Sequence, residues 1–195
     1  METCTKDKII LAFLSQASKE GLNNASLQKT ADLVNIKKAS IYSHFSNRED
    51  LVNQMFDYCQ AKIKKESKKI TLSQKDPKEE LSSLAFWFFD LFQEKEMKEY
   101  FRILQSSKLF NLQSQTNEKK LKYMLTSRSE VYVDFFVQTG QLKIKNSEFA
   151  AELFSSSLLL LLENLFIQKE SFENSKKNDW EIQSFVEKFV DLFSN

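Results

Sequence analysis

Apolar residues recur at intervals of three and four along almost the whole chain, and few breaks interrupt them. That spacing lays one face of a helix against a core. Residues 5–20 carry it through Ile10, Phe13, Leu14 and Ala17, and Gly21 follows where a helix would stop. Residues 47–69 repeat it with Leu51, Met55, Tyr58, Cys59 and Ile63. After a polar break at 71–76, Asp76, Pro77 and Glu79 read as the cap, first and third positions of a helix over 77–94. Its segment LAFWFFDLF is apolar nearly all round and is expected between neighbours. Further helices are predicted at 97–110, at 118–139 after a polar loop at 111–117, from a cap at Asn146 or Ser147 to 169, and at 179–193. Two glycines and one proline leave little turn chemistry for a many-stranded sheet. The pattern predicts an all-α fold of about nine helices.

Residues 26–51, SLQKTADLVNIKKASIYSHFSNREDL, follow a different rule. Two short helices, from Leu27 to Val34 and over about 37–45, flank a tight turn at Asn35, a residue type that tolerates left-handed backbone. Ala31 is small where the two helices cross, and Val34, Ile36 and Ile41 supply their apolar contact. Ser46 or Asn47 then caps the next helix, whose first turn holds Glu49 and Asp50 at the positive end of its dipole. This is the layout of a helix-turn-helix.

The run IYSHFSNREDL at 41–51 resembles the segment that ends the DNA-binding domain of the tetracycline-repressor (TetR) family. IILAFLSQASKEG at 9–21 resembles the family's first helix, and the spacing of Gly21, Ser26, Ala31 and Ile36 extends the match over roughly the first quarter of the chain. The sequence departs from the pattern at Thr30, where an aliphatic residue is usual, at Asn35 in place of the turn glycine, and at Ala17 and Phe13, where large and small are exchanged. The resemblance implies a helix-turn-helix domain over 1–46, a connecting helix over 47–70, and a ligand-binding and dimerisation domain over 71–195. It further implies that the last two helices form a four-helix bundle with a second subunit.

Net charge is +1, but its distribution is uneven. Residues 1–70 hold 12 Lys and Arg against 8 Asp and Glu, and residues 71–195 hold 16 against 19, so the basic part contains the helix-turn-helix. The one histidine, His44, lies inside that motif, which argues against a conventional catalytic triad, and no Glu-x-x-His pair or glycine-rich phosphate loop occurs. Cys4 and Cys59 are too few for a closed zinc site and form no paired motif, so no metal or cofactor is expected and a reducing compartment is. No apolar run is read as approaching the ~20 residues of a membrane span, and the first residues do not read as a signal peptide. A cytoplasmic, non-enzymatic protein is expected.

The expected partner is double-stranded DNA. Lys37, Lys38, Ala39, Ser40, Ser43 and His44 are offered to the major groove, where lysine donates to guanine and small residues meet thymine methyls. Tyr42, Arg48 and Ser26 are candidate phosphate contacts, the first two at family positions with that role; Tyr42 and His44 can instead be structural. A homodimer is expected through the two apolar stripes of 146–169 and the strict periodicity of 179–193, with Phe154, Leu158, Leu161, Leu165, Ile182, Phe185 and Phe189 as interface candidates. A small apolar or amphipathic ligand is expected among Trp87, Phe88, Phe101, Tyr132 and Phe136, residues that can also be plain core. Arg128 interrupts an inward stripe, either as counter-charge for an anionic ligand, or as the partner of an acid such as Glu163 or Asp90, or with its head in water. Together these readings describe a ligand-responsive regulator, more in keeping with a repressor. The alternative is a helical interaction module or an architectural DNA-binder without an effector.

Overall fold

The computed structural model describes residues 5–73, 75–167 and 175–194, and among these it is helical with no strand. Its helices are α1 (Thr5–Glu20), α2 (Leu27–Leu33), α3 (Lys38–Ile41), α4 (Arg48–Ser67), α5 (Pro77–Leu91), α6 (Lys95–Ser107), α7 (Leu112–Gln138), α8 (Ser147–Ile167) and α9 (Ser175–Phe193). The all-α expectation therefore holds. Cys4 and the predicted end of the eighth helix at 168–169 lie outside the described residues.

Two compact units divide the chain: Met1–Lys69 with Leu91–Lys119, and Ile70–Asp90 with Lys120–Asn195. In the first unit, α2, α4 and α6 all pack on α1. Ile9, Phe13 and Leu14 of α1, Leu51, Met55 and Cys59 of α4, and Met97, Tyr100 and Leu104 of α6 are completely covered. Each such apolar side chain contributes about 1.5–3 kcal/mol, so burial outweighs the polar links described next. Those links set register instead. The Glu99 carboxylate accepts from Ser15 Oγ at 2.8 Å, Tyr100 Oη accepts from Gln60 at 2.7 Å, and Lys62 pairs with Glu94 at 2.6 Å and Glu96 at 3.2 Å. The compact unit thus takes α6 and the first turns of α7 together with α1–α4, a grouping by packing that the functional boundaries at 46 and 70 do not describe.

The predicted polar loop at 111–117 is instead the beginning of α7, and the reason is a cap. Asn111 Oδ1 accepts from Ser114 N at 2.8 Å, and its carbonyl accepts from Gln115 N at 3.0 Å. α3 is also shorter than expected, a single turn, because the amides of His44 and Phe45 both return to the Ile41 carbonyl and close the chain into a turn.

In the second unit, Asp76 Oδ1 accepts from the amides of Lys78 and Glu79 at 2.9 and 3.2 Å, so α5 starts as predicted. Gly140, at φ +73°, ends α7, with the amides of Gln141 and Leu142 returning to the Phe136 carbonyl. Phe154 of α8 packs against Phe185 and Phe189 of α9 at 5.3 and 5.0 Å between ring centres, and Phe89 of α5 stacks on Phe166 of α8 at 5.9 Å. By length and composition Ser147–Phe166 of α8 does reach the range of a membrane-crossing helix, which corrects the reading that no run approaches it. Along that stretch Ala150, Ala151, Phe154, Leu158, Leu162 and Leu165 are buried.

Candidate nucleic-acid interface

Local chemistry positions the helix-turn-helix. Asn35 adopts φ +57°, the left-handed conformation predicted for the turn, and the Ile36 amide folds back to the Ala31 carbonyl at 3.0 Å. Ala31 is fully buried, as its small size required. Thr30, the polar departure from the family pattern, is also fully buried; its hydroxyl lies 2.9 Å from the Ser26 carbonyl and 3.0 Å from Gln16 Oε1. The α1–α2 contact thus accepts a hydroxyl because it supplies acceptors.

The start of α4 is held from two sides. Asn47 Oδ1 accepts from Asp50 N at 2.8 Å, while Asp50 Oδ2 accepts from Ser46 N at 2.8 Å and Ser46 Oγ at 2.9 Å. Gln54, followed by the Ser46 groups, holds the Asp50 carboxyl below its usual range, so the cap is ionised at neutral pH.

The nine candidate DNA residues separate into two groups. Lys37, Lys38, Ala39, Ser40, Tyr42 and Ser43 are exposed, whereas Ser26, His44 and Arg48 are half-buried. Neither Lys37 nor Lys38 pairs with a carboxylate among the described residues, in contrast to Lys29, whose ammonium lies 3.0 Å from Glu20. Ser26 is the N-cap residue of α2, yet its hydroxyl makes no capping bond and stays available. Ser43 Oγ donates to the Ser40 carbonyl at 2.7 Å. The His44 ring lies 6.4 Å from that of Phe45, whose other neighbour is the Lys6 ammonium at 5.6 Å.

Arg48 has a structural task that sequence reasoning missed. One guanidinium nitrogen donates to the Leu22 carbonyl, and the group lies 5.6 Å over the Phe13 ring, tying the α1–α2 turn to α4. The large Phe13, exceptional by family pattern, supplies that aromatic seat. Only the departure at Phe13 signalled this in the sequence.

The ligand candidates also separate. Phe101 belongs to the first unit and packs on Phe92 at 5.1 Å. Trp87, Phe88, Arg128, Tyr132 and Phe136 belong to the second. Phe88, Tyr132 and Phe136 are buried and Trp87 and Arg128 half-buried. The Tyr132 hydroxyl is buried without a hydrogen-bond partner among the described residues. Burial foremost, with Glu80 adding to it and Arg128 opposing it, pushes the Tyr132 pKa up, so the phenol is neutral. For Asp90, burial and then Asp179 raise the pKa, the reverse of what an arginine partner would do.

Of the seven interface candidates, Phe154, Leu158, Leu165, Ile182 and Phe189 are covered by their own chain, and Leu161 and Phe185 are half-buried. Among the described residues, the large apolar side chains that α8 leaves exposed are Phe149, Leu153 and Leu160. Spaced by four and seven positions, these three share one helix face.

A helix-turn-helix carried on a covered α1 and capped into α4, with two lysines on its exposed turn that meet no carboxylate among the described residues, defines the class of helix-turn-helix DNA-binding proteins. Residues 9–55 match the model of the bacterial regulatory proteins of the TetR family. Over 54 residues the chain is 37% identical to the biofilm operon icaADBC HTH-type negative transcriptional regulator IcaR of Staphylococcus epidermidis, a match that spans 28% of this chain and 29% of that protein. Across 96% of its length it is similar in fold to a TetR transcriptional regulator from Chloroflexus aurantiacus, of which 94% is covered, with a TM-score of 0.76 at 12% identity. A TetR-family regulator from Agrobacterium tumefaciens gives 0.73 at 13% identity, with 98% of each chain covered. Residues 9–55 thus resemble the DNA-binding part of the TetR family, and the chain as a whole shares the fold of that family's solved regulators. The sequence match covers less than a third of the staphylococcal relative, and beyond it the likeness is one of fold.

Proposed function

We propose that the protein is a transcriptional repressor that binds a palindromic operator as a homodimer and releases it when a mainly apolar small molecule binds. The observation that carries this reading is the exposed turn Lys37, Lys38, Ala39 and Ser40, whose ammonium groups meet no carboxylate among the described residues, beside exposed Tyr42 and a Ser26 hydroxyl that makes no capping bond. Lysine donors and the Ala39 methyl read base edges; Tyr42, Ser26 and the remaining N–H groups of Arg48 hold phosphates. Repression is supported by the name of the staphylococcal relative, a negative transcriptional regulator.

In this reading the chain divides into a reader over 1–46, a connecting helix over 47–70 and an effector and dimer domain over 71–195. For the dimer, the exposed stripe Phe149, Leu153 and Leu160 is the surface that a partner's helices would cover, with half-buried Leu161 and Phe185 at its margin. The ligand is placed beside Tyr132, whose buried hydroxyl lacks a partner among the described residues and whose neighbour Arg128 supplies positive charge. Ligand entry would shift α4, which Lys62 fastens to the start of α6, and so change the spacing of the two readers.

A salt titration of DNA affinity tests the reading. Tyr42→Ala should weaken binding to all sequences and reduce the salt slope by about one unit, and Lys37→Ala with Lys38→Ala should also relax base preference. Unchanged affinity in both Tyr42→Ala and the double lysine variant would remove the DNA assignment. An Arg128→Leu protein that still binds DNA but no longer releases it to an anionic inducer supports the effector site; normal release leaves Arg128 a structural residue.

A further inference from the structure

The junction of α6 and α7 carries the two most exposed large apolar residues described in the chain, Leu109 and Phe110, with Leu112 beside them. Leu109, Phe110 and Leu112 are 80%, 88% and 75% exposed, and none serves the DNA, dimer or effector roles assigned above. The cause is local. The amides of Phe110 and Asn111 close on the Ser107 carbonyl and Asn111 caps α7, so the turn is fixed by backbone bonds while its large side chains are left outside.

Two adjoining clefts lie beside this turn, both bordered by Leu22, Asn23 and Asn111. One, of about 480 Å³, is lined also by Arg48, Glu49, Val52, Leu112 and Gln113; the other, of about 200 Å³, reaches Phe110. Leu22, common to both, and Val52, in the larger, are buried apolar lining residues. Knob and socket therefore sit on one surface, and the socket's rim holds one positive and one negative side chain next to each other.

A surface of that kind fits a second copy of itself. We propose that this patch is an isologous contact between two copies of the chain, in which Phe110 of each enters the cleft of the other. A twofold axis through the patch would bring Glu49 of each copy to the N–H groups of the other's Arg48 that the Leu22 carbonyl leaves unused, so in the protein off DNA the charges pair as well as the shapes. The size fixes the strength. Three large side chains from each side bury on the order of 1,000 Å² in total, the lower end for a specific interface and the range of transient contacts. The contact is thus one for high local concentration, added to the dimer rather than replacing it.

Sedimentation equilibrium of the full chain over a wide concentration range tests this. The wild type should show one further doubling of mass, and Phe110→Asp should require a roughly tenfold or greater concentration to reach it, with unchanged helix content and unchanged affinity for a single DNA site. Glu49→Lys should weaken the same step by setting it against Arg48. Identical mass curves for wild type and Phe110→Asp would overturn the contact, leaving the patch to some other partner; a step unaffected by Glu49→Lys would overturn the paired geometry. Running the series again on Leu160→Glu alters the starting species only, so failure of the α8 dimer and failure of this contact are read separately.

Discussion

The helix-turn-helix at 26–51 and the helices α8 and α9 both bury apolar side chains, yet they yielded to reading very differently. In the first, single positions carry single requirements: a left-handed backbone at Asn35, a fully buried small residue at Ala31, a side-chain cap at Asn47. In the second, periodicity reports that a face is covered but not what covers it. Phe154, Leu158 and Ile182 are taken up by their own chain, while Leu160, chemically indistinguishable from Leu158, is 59% exposed. Local backbone chemistry is specific; a stripe of leucine is not.

That contrast can be broken or sharpened by substitution. The largest effect is expected for Leu51→Ala, at a fully covered site, which should cost about 2–5 kcal/mol of unfolding free energy in denaturant titration. Leu160→Ala should leave the unfolding of the separated chain within about 0.5 kcal/mol while weakening the dimer; a cost equal to that of Leu51→Ala would make the stripe core. Next come the backbone requirements. Asn35→Ala should cost about 1–2 kcal/mol for its left-handed φ, and Asn47→Ala about 1 kcal/mol for the lost cap, by the same titration.

The smallest effect concerns the Lys62 clamp. Burial opposes charge on both Lys62 and Glu96, but the carboxylates of Glu94 and Glu96 outweigh it and raise the lysine, while the Glu96 backbone amide and Lys62 lower the acid. Since the folded-state pKa of Glu96 is depressed, its contribution is present above its ordinary value of 4.5 and lost as pH falls through the lowered one. That of Lys62 is present below 10.5 and lost as pH rises through its raised value. Lys62→Met should flatten both limbs of the stability-pH curve by about 0.2–1 kcal/mol; a curve superimposable on that of the wild type would leave the clamp without energetic effect.

How much was legible follows from the same physics. The all-α class, the bounds of α1 and the start of α5 were readable because breakers and caps are local. The start of α7 was not, because the segment after Asn111 is polar and looks like a loop until its cap is recognised. Of the candidate site, the exposure of Lys37 to Ser40 was readable from motif position. The inward commitment of Arg48 was not, since its partners, the Leu22 carbonyl and Phe13, are distant in sequence.

The central claim is that this helix-turn-helix reads DNA as a twofold pair, and enrichment of bound sequences from a random duplex pool by the full chain tests it most directly. The account predicts an inverted repeat whose half-site centres lie about 10–10.5 base pairs, or a multiple of that, apart, and loss of the enriched base preference when Lys37 and Lys38 are both alanine. A pool that emerges without any enriched repeat, or an enriched site indifferent to both lysines, would contradict it.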